Sequence, residues 1–167
     1  MTKQEFLAMS IFTGLKYLDD NKKMVDLHCI DNGIGLVNFG WGDAKNIDEV
    51  FPIARPLSYL TKPIEHKGEK FVPMVELAKM IIDLPDYAPY CFTTKTSTFL
   101  QSDKHEFGYN HQGQSFHLFE RELMEHKSFP NQLGLFLKLI EWHFDIADLI
   151  SKGEAIDVNT LPENPYK

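Results

Sequence analysis

Residues 131–153 carry the hydrophobic pattern of one long helix, and this pattern constrains the fold of the chain more than any other feature of its sequence. The charged residues recur at spacings of three and four, so at about 100° per residue they form a stripe only about 80° wide. The remaining surface is almost entirely apolar, which predicts a mostly buried helix with other elements packed on at least two of its sides. The charged stripe consists of Lys138, Glu141, Asp145, Asp148 and Lys152.

The apolar surface of this helix has two parts and a histidine at its centre. One face consists of Leu133, Phe136, Ile140, Phe144 and Ala147, and the flank consists of Leu135, Leu139, Trp142, Ile146 and Leu149. His143 lies almost opposite the charged stripe, which predicts that its side chain is buried. A core histidine that bonds to a backbone carbonyl or a hydroxyl is the favoured interpretation, and a catalytic or ligand role is the alternative.

Size and charge limit the classes of protein to which the chain can belong. A chain of 167 residues with 43% hydrophobic content can bury a core and favours one domain, 1–167. It has 24 acidic and 17 basic residues, a net charge of -7, and no basic patch that could neutralise phosphates, which disfavours nucleic-acid binding. Cys29 and Cys91 lie far apart, which favours free thiols and a reducing cytoplasm. We expect neither a signal peptide nor a membrane-spanning segment.

The first half of the chain predicts a helix followed by antiparallel strands. Thr2 and Glu5 have the spacing of a capping box, and the helix should run from Lys3 to about Phe12. Apolar runs at 15–18, 24–30 and 35–39 predict a small meander, with Asn-Gly at 32–33 as a hairpin turn. Residues 40–63 are rich in Gly and Pro and should be mostly irregular, with one turn of helix near 57–60.

The second half predicts a hairpin at 64–72, a helix that begins at Pro73, and strands at 90–93, 97–101, 105–109 and 115–119. Residues 154–167 contain two prolines and little apolar content, which predicts an extended C-terminal tail, docked or mobile. These elements predict an α+β fold. An antiparallel sheet, in one piece or as two small sheets, should pack against the long C-terminal helix, with shorter helices near the N-terminus and in mid-chain.

The strands of the second half are rich in aromatic and acidic residues. The aromatic residues are Phe92, Phe99, Phe107, Tyr109, Phe116 and Phe119. A platform for single-stranded nucleic acid would pair such rings with a basic groove, but this half is the more acidic one, so packing in the core is favoured. Glu120, Glu122 and Glu125 beside Arg121 are interpreted as a solvated approach to the last helix.

Histidines and cysteines are the side chains that could carry chemistry. His105, His111 and His117 are evenly spaced across one predicted hairpin, but the turn separates His111 from the other two, and a zinc site needs three or four converging ligands. Surface histidines are therefore favoured, and no metal or cofactor is expected. His28 cannot activate Cys29, because neighbours on a strand point to opposite faces. The sequence has no phosphate loop, nucleophile elbow or zinc-protease motif, and no catalytic residue is assigned.

Three stretches, residues 1–10, 55–73 and 132–166, resemble a family of small uncharacterised proteins encoded by phages and mobile elements of gut bacteria. The resemblance implies a cytoplasmic protein of bacterial or phage origin and supplies no site residues. The leading hypothesis is a non-enzymatic accessory or protein-binding protein of such an element. The alternatives are a small enzyme with a histidine and a carboxylate in one pocket, and an acidic protein that mimics nucleic acid.

Overall fold

The computed structural model describes residues 1–18, 22, 24–26, 29–31, 36–38, 44–84 and 89–167, without the side chains of 29–31, 36–38 and 44. The chain divides into two compact units, residues 1–56 with 139–165 and residues 57–138 with 166–167. Helices and antiparallel sheets are both present, which confirms the α+β class. The assignment of 1–167 to a single domain stays a prediction.

The bounds of the elements are as follows. The helices are α1 (Lys3–Ser10), α2 (Pro73–Lys79) and α3 (Gln132–Glu141), and short 3-10 turns lie at Ile47–Glu49, Leu57–Tyr59 and Val158–Thr160. The strands are β1 (Lys16–Leu18), β2 (Met24–Asp26), β3 (Cys29–Asp31), β4 (Leu36–Asn38), β5 (Ala44–Asn46), β6 (Phe51–Ala54), β7 (Ile64–His66), β8 (Glu69–Phe71), β9 (Tyr90–Thr93), β10 (Ser97–Gln101), β11 (His105–Asn110), β12 (Ser115–Glu120), β13 (Glu125–Lys127) and β14 (Ile156–Asp157).

In the first unit, the N-terminal helix has the predicted start. The Thr2 hydroxyl accepts from the Glu5 amide at 3.2 Å, and the Glu5 carboxylate accepts from the Thr2 amide at 2.7 Å, which completes the capping box. Phe6 and Leu7 are fully buried. The helix ends at Ser10, two residues earlier than predicted.

The first unit contains a four-stranded sheet in the order β14-β6-β1-β2, and β3, β4 and β5 form a separate antiparallel sheet. The predicted strand 24–30 is therefore two strands, β2 and β3. The expectation that 40–63 is mostly irregular is wrong, because this stretch includes β5 and the largely buried β6. The tail is docked: β14 pairs in parallel with β6, and Val158 is buried.

The second unit follows the predicted order of elements closely. β7 and β8 pair around Lys67 and Gly68, whose φ angles of 52° and 81° are those of a two-residue hairpin turn with both residues left-handed. α2 begins at Pro73 and buries Met74 and Leu77. The four predicted strands are β9 to β12, and β13, which the sequence did not predict, completes an antiparallel sheet in the order β13-β12-β11-β10-β9.

The long C-terminal helix is the main error of the sequence prediction, because α3 ends at Glu141. After α3, the chain bonds to Arg55, which directly follows β6. The Arg55 amide donates to the His143 carbonyl at 2.7 Å, and the Asp145 amide donates to the Arg55 carbonyl at 2.9 Å. Arg55 Nε also donates to the Trp142 carbonyl at 3.1 Å. The carbonyls of residues 142 and 143 and the amide of residue 145 bond to Arg55, so they are not available for the hydrogen bonds that would extend the helix.

Burial along residues 131–153 agrees with the helical prediction at His143 and differs from it at Asp145 and Leu133. His143 is 2% exposed, which confirms its predicted burial, although its φ of 61° is not helical. Asp145, assigned to the charged stripe, is 4% exposed, and its carboxylate accepts from the amides of Leu149 and Ile150 at 2.8 and 2.7 Å. Burial raises the pKa of Asp145, and the two backbone donors partly offset this effect. Leu133, expected to pack, is 67% exposed.

Candidate binding face

The five-stranded sheet of the second unit carries aromatic side chains on both of its faces. Strand register assigns each residue to a face, because residues directly opposite each other in a sheet point the same way. The buried set includes Leu100, Phe107, Tyr109, Phe116 and Leu118. We call this side the core face.

The opposite side of the same sheet is a continuous row of rings. We call it the aromatic face, and its six rings belong to Tyr90, Phe92, Phe99, His117, His126 and Phe119. Successive centroids along this row are separated by 5.5, 5.1, 5.4, 6.4 and 5.1 Å, which are ordinary distances for contacting rings. The row crosses the sheet from one edge strand to the other.

These rings are not buried in a core. Tyr90 is 68% exposed and His126 is also exposed, whereas Phe92, Phe99, His117 and Phe119 are partly exposed. The prediction that Phe92, Phe99 and Phe119 are core residues is therefore wrong, and the same prediction is confirmed for Phe107, Tyr109 and Phe116. Aromatic area left on a sheet surface is typical of a binding site.

Gly108 allows His117 and Phe99 to contact each other at the centre of the row. It lies on β11 directly opposite His117, and a Cβ atom at this position would come within 2.2 Å of Cε1 of the imidazole and 3.0 Å of Cδ1 of Phe99. The absence of a side chain therefore lets the His117 ring lie across β11 and reach Phe99. The aromatic face depends on this glycine for its continuity.

The aromatic face is nearly uncharged. Glu106, opposite Gln101 and Phe119, is the only acidic or basic side chain among the described strand positions on this side, apart from the two histidines. Burial lowers the pKa of His117, the Glu106 carboxylate opposes that shift, and His126 adds to it. His117 is therefore neutral at pH 7, and the face presents rings and small polar groups.

α3 packs on the core face at Phe116 and Tyr109. The side-chain amide of Gln132 pairs with the backbone of Phe116, donating to its carbonyl at 2.8 Å and accepting from its amide at 3.0 Å. Phe136 contacts Tyr109 and Phe116 edge-on, with centroids 6.0 and 5.4 Å apart. Because α3 packs on this face, the aromatic residues of the sheet are divided between a core and a surface.

The three evenly spaced histidines do not come together. His105 and His111 lie on the side of Phe107 and Tyr109, where His111 Nε2 contacts the Thr98 hydroxyl at 2.8 Å. His117 lies on the opposite face. The described part of the chain contains no group of three or more His, Cys, Asp or Glu that could hold a metal ion.

Other predicted residues have structural surroundings. The Lys127 ammonium forms ion pairs with Glu120 at 3.2 Å and with Glu125, so two of the clustered glutamates belong to the β12–β13 hairpin and not to an approach to the last helix. Burial raises the pKa of the free thiol of Cys91 to about 11, which keeps it protonated at pH 7. His28 and the Cys29 side chain lie outside the described residues.

The first unit contains a cleft of about 670 Å³ at the start of α1. Its lysines already interact within the unit: the Lys3 ammonium lies 5.1 Å from the centroid of the Phe51 ring and near Asp48 and Glu154, and Lys152 donates to the Ala147 carbonyl at 2.8 Å. The rings of the aromatic face contact mainly one another among the described residues, so this face is the stronger candidate.

Comparisons with protein-family models, with curated proteins and with solved structures found no match for this chain. Within the described residues, no helix has both the length and the apolar character needed to cross a membrane. The candidate site therefore rests on the geometry of the sheet alone.

The burial of His117 predicts that stability depends on pH. Its pKa in the folded state is below its usual value of about 6.5, so the unfolded chain takes up the proton first as the pH falls. The free energy of unfolding should therefore have its full value above pH 6.5 and should decrease as the solution is acidified through that value. Urea unfolding of His117→Gln between pH 7.5 and 5.5 should give a weaker decrease than wild type, and an equal decrease would contradict the assignment.

Proposed function

We propose that this chain is a non-enzymatic binding protein of a phage or mobile element and that it contacts a partner protein through the aromatic face. The observation that carries the proposal is the row of six rings that crosses a five-stranded sheet on its partly exposed side. The rings contact one another on the sheet before binding, so less side-chain entropy would be lost when a partner arrives.

Aromatic side chains favour a protein partner because they offer a large apolar area with few rotatable bonds. Phe and Tyr are enriched at the centres of protein interfaces, and Lys, Glu and Asp are depleted there. The aromatic face has this composition: Glu106 is its only carboxylate among the described strand positions, and small polar residues such as Ser115 and Asn110 lie at its margin. The expected partner surface is apolar and carries few charges.

Nucleic acid fits this face poorly. A platform for bases needs Lys or Arg beside the rings to contact phosphates. No Lys or Arg occupies a described strand position on the aromatic face, and His117 is neutral at pH 7 because burial lowers its pKa. The net charge of -7 opposes binding further.

The alternative of a small enzyme rests on one pair of residues on the same face. The Glu106 carboxylate acts on the pKa of His117, as a carboxylate beside a catalytic base would. The binding proposal predicts that His117→Ala impairs partner binding, whereas the enzyme alternative predicts loss of turnover with partner binding retained. The third hypothesis, an acidic mimic of nucleic acid, requires carboxylates aligned on one surface.

The experiment uses the end of the row formed by Phe119 and His126. The full chain and the double variant Phe119→Ala, His126→Ala are immobilised and exposed to the lysate of a gut bacterium that carries the encoding element. We expect a protein that the wild type retains and the variant does not. Binding of that purified protein, measured by calorimetry, should weaken at least tenfold in the variant, which corresponds to about 1.4 kcal/mol.

The matched control removes two exposed apolar side chains elsewhere in the same unit. Leu123→Ala with Leu133→Ala changes residues that are 59% and 67% exposed and that do not belong to the aromatic face. This control should retain the partner with wild-type affinity. The proposal fails if both double variants retain the same proteins as the wild type.

A further inference from the structure

β9 is an edge strand of the five-stranded sheet. β9 pairs with β10 on one side, and no described residue pairs with its other side. Its sequence, Tyr-Cys-Phe-Thr at 90–93, has no charge and no proline, which are the usual protections of an edge. The opposite edge, β13, consists of Glu125, His126 and Lys127 and is protected by its charges.

The hydrogen bond between Thr94 and Ser97 determines which backbone groups of β9 face outward. The Thr94 amide donates to the Ser97 carbonyl at 2.8 Å, so this pair is hydrogen-bonded. Hydrogen-bonded and non-bonded pairs alternate along an antiparallel ladder, so Phe92 bonds to Phe99 and Cys91 does not bond to its opposite residue. The amides and carbonyls of Cys91 and Thr93 therefore point to the open edge.

The pairing of β10 with β11 gives the same alternation independently. The Ser102 amide donates to the His105 carbonyl, and the His111 amide donates to the Thr96 carbonyl, both at 2.8 Å. Even-numbered residues of β10 therefore bond to β11. Its odd-numbered residues, including Phe99, therefore bond to β9.

We propose that β9 pairs antiparallel with β9 of a second copy of this chain about a two-fold axis at Phe92. An isologous contact needs a surface that is complementary to itself. In this register Cys91 lies opposite Thr93 of the second copy and Thr93 lies opposite its Cys91, so all the outward groups of both strands form four hydrogen bonds. A register centred on Cys91 or on Thr93 leaves outward groups of β9 unpaired within the strand bounds.

The same register places the two Phe92 side chains opposite each other. They form a non-hydrogen-bonded pair, in which Cα atoms are about 4.5 Å apart and side chains are in closest contact. Phe92 belongs to the aromatic face and lies 5.1 Å from Phe99. The aromatic rows of the two copies would therefore join into one row across a ten-stranded sheet.

Sedimentation equilibrium of the full chain tests this pairing, which does not depend on the proposed partner. We expect a species of twice the 19.3 kDa chain mass at high concentration. Phe92→Lys and Phe92→Glu should each be monomeric, because like charges would lie directly opposite each other. An equimolar mixture of the two variants should form dimers again. Ser115→Lys, an exposed change on the same face away from β9, should leave the dimer unchanged.

Disulfide cross-linking tests the same pairing without the charged variants, in case one of them fails to fold. Phe92→Cys, in a background with Cys29→Ser and Cys91→Ser, should form an intermolecular disulfide on mild oxidation, since a Cα separation of about 4.5 Å lies within the permitted range. Ser115→Cys in the same background should not. A wild-type dissociation constant weaker than about 1 mM, or a dimer that persists in both charged variants, would overturn the proposal.

Discussion

Ile140→Asp is expected to remove most of the stability of the protein. Ile140 lies near the end of α3 and is 1% exposed. The introduced carboxylate would therefore be buried among groups that pack against an apolar side chain. An uncompensated buried charge costs about 3–5 kcal/mol, against a total stability of about 5–15 kcal/mol for a typical domain. Urea unfolding followed by circular dichroism should show a large fall in the midpoint, or no cooperative transition at all.

Leu133→Asp is the matched control for this prediction because it makes the same chemical change on the same helix. Leu133 is 67% exposed and lies in the first turn of α3, where a negative charge interacts favourably with the helix dipole. Its free energy of unfolding should change by less than about 1 kcal/mol. Equal effects of the two substitutions would show that burial of Ile140 does not determine the stability of α3.

Asp145→Ala is expected to cost about 2–4 kcal/mol. The carboxylate accepts from the amides of Leu149 and Ile150 at 2.8 and 2.7 Å, and the bond to Leu149 is buried. Loss of the acceptor leaves a buried amide without a partner, and each such group costs about 1–3 kcal/mol. The substitution also removes a carboxylate whose burial is unfavourable, as its raised pKa indicates. This gain offsets part of the loss. The free energy of unfolding at pH 7 measures the net effect.

Asp157→Ala provides the control for this second prediction. Asp157 also caps a turn, accepting from the Asn159 amide at 2.8 Å, but this bond is exposed and water can replace it. The expected loss is about 1 kcal/mol or less. If Asp157→Ala and Asp145→Ala destabilise the protein equally, burial of the Asp145 bonds has no special effect on stability.

The elements predicted well are those whose signals are local. The β7–β8 hairpin follows from a turn at Lys67 and Gly68, and α1 follows from the Thr2 and Glu5 capping box. β6 was missed because Pro52 and nearby glycines indicate irregular structure, yet Pro52 is buried in a strand that pairs with β14 from the other end of the chain. No local pattern can indicate such a partner.

The candidate site was visible in the sequence only in part. The strands and their aromatic residues were predicted, but Phe116 and Leu118 alternate with His117 and Phe119, so both faces of β12 look apolar. Which face is buried depends on what packs there, and α3 covers the side of Phe116 through Phe136. The aromatic face is what this choice leaves uncovered.

The sequence by itself determined the α+β class and the chain order of β7 to β12, because these depend on neighbouring residues and on hydrophobic content; the burial of His143 was predicted correctly, but from a helix that ends before it. Only the tertiary structure decided where α3 ends. The helical pattern continues to residue 153, but Arg55 offers its amide and carbonyl to His143 and Asp145. Backbone groups that bond to a distant strand cannot also bond within a helix, so the long-range pairing prevailed over the local periodicity.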